Sequence, residues 1–580
     1  MTPRLLLSLA LAWSASAAPA GLHLKVPMRD GAHLCTNVFV PPGSGKYAAI
    51  LVRTPYGKGN DIGGYRSFLD HGYAVVVQDV RGRYHSEGVF RPLTQEGPDG
   101  SDTLDWIARQ EWSNSSVGMV GGSYLGIAQW RVALLHNPHL KAIFPLVSGG
   151  DDYRDRFYSE GGALKLGHRL EWMAENLRDP GFPMPDFSKY VYHLPLRTAD
   201  RATTGLTVEM YQQALNHPTH DGFWDALSAL DRIRDVHIPV FSVGGWFDNF
   251  AESDLAAFSR LGRQGPERHI LVGPWPHNMS DPIKTIDLGP NASVPVRRCQ
   301  LDWFDYWLKT SEKERALKPF PYPPVRIFVM GANVWRDEQE WPLARAIPTP
   351  FYLASARGAN SLDGDGTLAR KPKRRDGEDK YVYDPHRPVA TAGGPVCCNP
   401  KIFPWGPMDQ RPVEKRRDVL VYTTPPLKED MEVTGPIRVV LHVATSARDT
   451  DFTAKLVDVY PDGRAINLTD GILRLRYRES LEKPSLVQPN SVCAITIDAG
   501  VTSVVFKKKH AVRLEISSSN FPRFDRNLNT GRSQADETTM LSANQTIYHG
   551  RGHPSHLLLP VVPSSGSLLR TSVDAELMRR

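Results

Sequence analysis

One serine stands where a strongly apolar stretch gives way to a helical pattern. The segment reads VGMVGGSYLG over residues 117–126, with Ser123 at the turn. A strand that passes directly into a helix holds the residue at its apex in a strained conformation with its side chain exposed, and Gly121 and Gly126 leave out the Cβ atoms that would obstruct the turn. This is the nucleophile elbow typical of α/β-hydrolases, although the second glycine falls one place later than usual. An ordinary strand–helix turn is the competing interpretation.

Acyl transfer through a serine also needs a base and a carboxylate that orients this base. In α/β-hydrolases the chain order is serine, then aspartate or glutamate, then histidine. Asp248 and His277 follow Ser123 in that order, and each comes just after a predicted buried strand. Strand ends of a parallel sheet meet at the edge where sites form. A single histidine after a strand is usually structural, but three residues in the required order predict a catalytic triad of Ser123, Asp248 and His277.

The negative charge on the reacting oxygen needs hydrogen-bond donors. The expected first donor is the backbone N–H of Tyr124, the residue after the serine. No glycine-rich loop follows the earlier strand at residues 48–53, and Tyr56 stands at that place. A phenol can donate where an N–H otherwise would, so Tyr56 is the predicted second donor; a surface tyrosine in a turn is the alternative.

The surrounding pattern predicts the elements that position these residues. Buried strands alternate with helices up to residue 148, which predicts a parallel sheet with crossover helices. Helical spacing without strands at 155–177, 207–216 and 222–230 predicts a helical cap. Short alternating segments beyond residue 348 predict a β-sandwich of the jelly-roll type. The predicted fold class is α/β, with an α/β-hydrolase domain (21–148 and 237–347), a helical cap insertion (149–236) and a C-terminal jelly roll (348–580).

Composition sets limits on function. The net charge of +6 over 580 residues, without a basic stripe interleaved with aromatics, gives no reason to predict a nucleic-acid partner. Residues 1–20 are predicted to be a signal peptide, because Arg4 is followed by an apolar run and then by small residues. We therefore expect a periplasmic or secreted protein without a membrane span. The vicinal pair Cys397-Cys398 lacks the spacer and the further ligands of a metal or redox site, so buried or loop thiols are the preferred interpretation. A disulfide to Cys493 is an open alternative. We predict no metal and no cofactor.

Several motifs together resemble a known family. The stretches RTPYGK, DVRGRYHSEG, GGSYLG, GWFDNF and GPWPHN are similar to those of the cocaine esterase family, which is related to X-Pro dipeptidyl-peptidases, glutaryl acylases and α-amino-acid ester hydrolases. The resemblance extends through FVMGANVWR into the β-domain. It implies a serine hydrolase with the same fold, the same triad and oxyanion donors Tyr56 and Tyr124.

Substrate preference is less sharply indicated. The α-amino-acid ester hydrolases carry carboxylates just after the triad aspartate, where this chain has Phe250 and Ala251. Phe250 resembles an apolar pocket wall, and Trp172 is either an acyl-pocket wall or a residue that packs cap against core. Glu252 would be a charge near the site or an acid at a helix start.

We expect an exported hydrolase of a small ester or amide, with a homo-oligomer possible. The alternatives are an X-Pro dipeptidyl-peptidase and, less favoured, an inert binding protein that uses its β-domain.

Overall fold

The computed structural model describes residues 21–262, 265–279, 283, 285–397, 399 and 404–563. The predicted signal peptide, residues 1–20, lies outside the described residues. Within them, two sheets and a group of helices make up the molecule.

The first sheet is mainly parallel and contains ten strands. They are β1 (Leu22–Pro27), β2 (His33–Phe39), β3 (Tyr47–Thr54), β4 (Ala74–Asp79), β5 (Ser113–Gly122), β6 (Leu140–Leu146), β7 (Val240–Phe247), β8 (Arg268–Pro276), β9 (Val325–Val329) and β10 (Val334–Glu338). Their order is β1-β2-β4-β3-β5-β6-β7-β8-β9-β10, parallel from β4 to β9. β1 and β2 pair as an antiparallel hairpin. β3, β4 and β7 are buried along their whole or nearly whole length, as expected for strands covered on both faces.

Helices cover this sheet on both faces. Those of the core are α1 (Arg66–Asp70), α2 (Glu96–Ala108), α3 (Tyr124–Ala133), α9 (Ala251–Leu261), α10 (Val296–Phe304) and α11 (Glu312–Leu317). Between β6 and β7 the chain forms a helical cap of α4 (Leu166–Asn176), α5 (Phe187–Tyr190), α6 (Ala199–Thr204), α7 (Glu209–Asn216) and α8 (Gly222–Leu227). The strand order and this cap give the α/β-hydrolase architecture.

The predicted helix over residues 155–177 is wrong in its first half. The structure has a π-helical turn at Asp152–Phe157, then a bridge between Tyr158 and Leu164, and a regular helix only from Leu166. Gly161 and Gly162 interrupt the helix: Gly162 has φ +79°, and a Cβ on Gly161 would lie 2.2 Å from the carbonyl oxygen of Ile472. Glycine is therefore required where the cap touches the second sheet.

The second sheet system is a β-sandwich of eleven strands. They are β11 (Ile347–Ala354), β12 (Thr367–Ala369), β13 (Gly377–Tyr383), β14 (Leu420–Thr423), β15 (Met431–Thr445), β16 (Asp451–Val459), β17 (Ala465–Arg474), β18 (Cys493–Phe506), β19 (Ala511–Ser517), β20 (Ala543–His549) and β21 (His556–Val562), with one short helix, α12 (Arg411–Glu414). β17 ends at Arg474, where a 3₁₀ turn begins. Cys35, Cys299 and Cys493 are free thiols and Cys397 is disulfide-bonded, so the disulfide considered for Cys493 is not formed.

A single hydrophobic cluster joins the two sheets. It includes Trp246 and Phe247 of β7, Phe328 of β9, Leu353 of β11 and Val439 of β15, all buried. Glu252 lies at the start of α9, where its side chain hydrogen-bonds Asp498 of β18, so it belongs to this junction. In the part of the chain that the structure describes, no helix combines the length and apolar character needed to cross a bilayer.

Candidate active site

Ser123 lies at the sharp turn between β5 and α3. Its backbone has φ 55° and ψ −125°, a conformation that a non-glycine residue adopts only when the surroundings impose it. A Cβ on Gly126 would lie 2.5 Å from the Cβ of Ser148, so glycine permits the close crossing of α3 over the end of β6. The turn expected from the sequence is therefore present, with Ser123 at its apex.

Asp248 and His277 lie together at the ends of neighbouring strands. β7 pairs in parallel with β8, which brings the loops after Phe247 and Pro276 side by side. The Nδ1 of His277 is 2.8 Å from Oδ1 of Asp248, whose side chain is completely buried. This carboxylate fixes the orientation of the imidazole ring and leaves Nε2 on the other side. Phe250 lies beside this pair, with its ring centroid 5.5 Å from that of His277.

Tyr56 reaches the serine from the loop after β3. Its hydroxyl lies next to the side chain of Ser123, which acts on it as a donor, and it accepts a hydrogen bond from Nε1 of Trp172 at 3.2 Å. An indole N–H is only a donor, so the phenolic hydrogen of Tyr56 stays free to point into the site. Although 39% of Tyr56 is exposed, desolvation around its hydroxyl raises the pKa of the phenol, which keeps it protonated at neutral pH.

Among the described residues no hydrogen bond joins Ser123 to His277. Both side chains nevertheless belong to loops at the same edge of the parallel sheet, beyond β5 and β8. Catalytic hydrogen bonds commonly shorten only when substrate is bound.

Tyr124 begins helix α3, so its backbone N–H has no partner within the helix. Its side chain is buried and donates to Oε1 of Glu96 at 2.7 Å, and Glu96 in turn accepts from Arg53 at 2.7 Å. Its ring stacks on Trp172 with centroids 6.4 Å apart. This network holds the N-terminus of α3 directly under the cap helix α4.

A small cavity, about 370 Å³ including the space that opens to solvent, lies beside Ser123, Tyr56 and Tyr124. The core contributes Tyr56, Pro92, Leu93, Ser123, Tyr124, Ile127 and Phe250, and the cap contributes Arg156, His168, Arg169, Trp172 and Met210. A larger cavity lies in the β-sandwich and contains none of the residues predicted for catalysis. The structure thus brings Phe250 and Trp172 to the same cavity as Ser123.

Three polar cap residues in this cavity were not anticipated from the sequence: Arg156, His168 and Arg169. Burial lowers the pKa of His168 far below its usual range, so this ring is neutral at neutral pH. Arg156 donates to Asp152 at 2.8 Å and to the carbonyl oxygen of Ser148 at 2.9 Å. No sequence motif marks these three residues. They occupy polar positions in the predicted helical segment, and such positions normally belong to a solvent-exposed face.

Comparisons with known proteins agree with this architecture. Residues 30–279 match the X-Pro dipeptidyl-peptidase (S15) family, and residues 320–558 match the X-Pro dipeptidyl-peptidase C-terminal non-catalytic domain. The cocaine esterase of Rhodococcus sp. (strain MB1 Bresler) is 38% identical over 571 residues, covering 93% of this chain and 98% of that protein.

Solved structures of similar proteins cover almost the whole chain. An aminopeptidase from a marine sediment Thaumarchaeota archaeon has a TM-score of 0.81 at 26% identity, with 94% of this chain and 96% of that chain covered. An α-amino-acid ester hydrolase has a TM-score of 0.81 at 25% identity, with 97% and 99% covered.

The fold and these relatives define the protein as a serine hydrolase. Within that class, the chain belongs to the family of cocaine esterase-like (CocE/NonD) hydrolases, which is related to the X-Pro dipeptidyl-peptidases.

Proposed function

We propose that the enzyme cleaves a carboxylic ester or amide through an acyl-enzyme formed on Ser123. The observation that carries this proposal is the meeting, at one sheet edge, of a strained serine with a buried Asp248–His277 pair. In this scheme His277 accepts the proton of the Ser123 hydroxyl and then donates it to the leaving group. Asp248 holds the ring in the required tautomer and stabilises its charged form.

The oxyanion of the tetrahedral intermediate is assigned to two donors. The N–H of Tyr124 points out of the helix start, and the hydroxyl of Tyr56 is already in contact with Ser123. Trp172 donates a hydrogen bond to the oxygen of Tyr56, so the phenolic hydrogen remains available to donate to the oxyanion. Water then attacks the acyl-enzyme with His277 as base, and this regenerates Ser123.

The charge of the cavity favours an acyl ester over an X-Pro peptide. An exopeptidase that releases dipeptides must bind a free ammonium group, which requires a carboxylate or similar acceptor. The described lining of the cavity contains no carboxylate, and it contains Arg156 and Arg169. The family match is nevertheless to X-Pro dipeptidyl-peptidases, so both activities have to be measured.

We expect p-nitrophenyl acetate and butyrate to be hydrolysed with a kcat/KM at least 100-fold above that for Gly-Pro-p-nitroanilide. Two buried cations beside the site disfavour the ammonium group of the peptide and leave neutral acyl chains unaffected. N-acetyl-Gly-Pro-p-nitroanilide is the matched control, because it lacks the charge. Efficient release from the free peptide that disappears on acetylation would instead support the exopeptidase.

We also propose that residues 1–20 form a leader that is removed on export. The supporting observation is the order of Arg4, an apolar run and small residues. Mass spectrometry of protein from a periplasmic or culture-medium fraction should give a mature N-terminus close to residue 18 or 21. An intact N-terminus starting at Met1 in the cell interior would contradict export.

A further inference from the structure

Arg169 is a buried cation without an anionic partner. It lies on α4 with only 7% of its surface exposed. Among the described residues its guanidinium makes no ion pair and donates no hydrogen bond, and its Nε is both buried and unsatisfied. Its protein contacts are aromatic: the guanidinium lies 4.8 Å from the ring centroid of Phe157 and 5.4 Å from that of Trp172. Such stacking offsets only part of the cost of burying a charge.

The neighbouring charges do not neutralise Arg169. Asp152 already accepts from both Arg131 and Arg156, so one carboxylate is shared by two other arginines. Desolvation, reinforced by nearby Arg156, lowers the pKa of Arg169 to about 9, and the group therefore remains protonated at neutral pH. On the cap side of the cavity, the guanidinium of Arg169 therefore has Asp152 nearby but no paired carboxylate among the described residues.

Arg169 is also close to the reacting centre. It lines the same cavity as Ser123, and it contacts Trp172, whose indole donates to the hydroxyl of Tyr56. Only one aromatic side chain separates the guanidinium from the proposed oxyanion donor. A group bound by Arg169 would therefore share this cavity with the carbonyl that Ser123 attacks.

We propose that Arg169 binds a carboxylate carried by the substrate, so that the preferred substrates are esters or amides bearing an acid group a few carbon atoms from the scissile bond. A guanidinium presents a planar set of donors that fits the two oxygens of a carboxylate, and in a desolvated site this pairing is strong. Phe250, Met210 and Leu93 then line the path for the short apolar part of the substrate. This proposal rests on the proposed function, because it names the substrate class of the same site.

The test compares anionic and neutral esters of equal shape. Monoethyl glutarate carries the acid on the acyl side, and ethyl 5-oxohexanoate replaces this acid with a neutral methyl ketone. The esters 4-acetoxybutyrate and 5-acetoxypentan-2-one form the corresponding pair with the acid on the alcohol side. For the unmodified enzyme we expect the kcat/KM of one anionic ester to exceed that of its neutral counterpart by about 10- to 100-fold.

Arg169→Met should lower the kcat/KM of the anionic esters at least about tenfold more than that of their neutral counterparts, so that the preference is lost. Arg169→Lys should retain part of it, since the charge remains but the paired donors are lost. Arg201→Met, at an exposed arginine on α6 of the same cap, is the control that should change nothing. Free glutarate should inhibit the unmodified enzyme, and its inhibition constant should rise in Arg169→Met together with the loss of preference for the anionic esters.

Two results would overturn the proposal. One is the absence of any preference for either anionic ester in the unmodified enzyme, and the other is an equal loss on anionic and neutral esters in Arg169→Met, which would make Arg169 a packing residue for Trp172. The ratio of kcat/KM for the anionic ester to kcat/KM for the neutral ester does not depend on which residue attacks the carbonyl. A wrong assignment of Ser123 would instead appear as activity retained on all esters in Ser123→Ala.

Discussion

Ser123→Ala is expected to fold normally and to lose at least about 1,000-fold in kcat on a p-nitrophenyl ester. The change removes the only atom that would form the acyl-enzyme and leaves the oxyanion donors and the cavity in place. Alanine fits wherever serine does, so the circular dichroism spectrum and the melting temperature should change little. The measurement is steady-state kinetics on purified protein.

The same assignment predicts the position of a covalent label. A fluorophosphonate probe should attach to Ser123, located by mass spectrometry of the digested protein, and should not label Ser123→Ala. Ser116→Ala, on the same strand, is the matched control and should keep full activity and labelling. A label on any other serine, or near-normal turnover by Ser123→Ala, would disprove the assignment.

Tyr56→Phe is expected to lower kcat by about 100- to 1,000-fold with little change in KM. The variant deletes only a hydroxyl that contacts Ser123 and accepts from Trp172. A donor aimed at the oxyanion acts more strongly on the transition state than on bound substrate, so its loss appears in kcat. The loss of a single such donor in other serine hydrolases has this magnitude.

The control for Tyr56→Phe is Tyr192→Phe, which removes a hydroxyl from an exposed tyrosine of the cap. It should leave both constants unchanged. If Tyr56 only packs in a turn, Tyr56→Phe will keep near-normal kcat. A rise in KM alone would show that Tyr56 contacts the substrate without stabilising the intermediate.

The backbone features around the site were predictable because their signals are local. Glycines at fixed offsets from Ser123 indicated a strand–helix turn, and continuous apolar runs indicated the buried strands that deliver Tyr56, Asp248 and His277 to one edge. Those signals come from sterics and from burial on both faces of a parallel sheet, which a sequence displays directly. The place of Asp248 beside His277 follows once β7 and β8 are recognised as neighbouring strands.

The cap was predictable only as a helical region. Its first predicted helix is interrupted at Gly161 because that residue packs against the backbone of Ile472, more than 300 positions later in the chain, and no local pattern reports such a contact. Arg169 presents the same difficulty. In sequence it occupies a polar position between Leu166 and Leu170, which normally means a solvated face. Its burial depends on how the cap closes over the core, which is a tertiary property.

The hydrophobic cluster shared by the two sheets has a thermodynamic consequence. Because Phe247 and Phe328 of the first sheet and Leu353 and Val439 of the second are excluded from water by the same cluster, neither sheet can melt while the other keeps its interior dry. We therefore expect loss of the β-sandwich to expose apolar side chains of β7, the strand that ends just before Asp248. Heat inactivation of this enzyme should therefore respond to substitutions in the β-sandwich side of the cluster as well as to those in the first sheet.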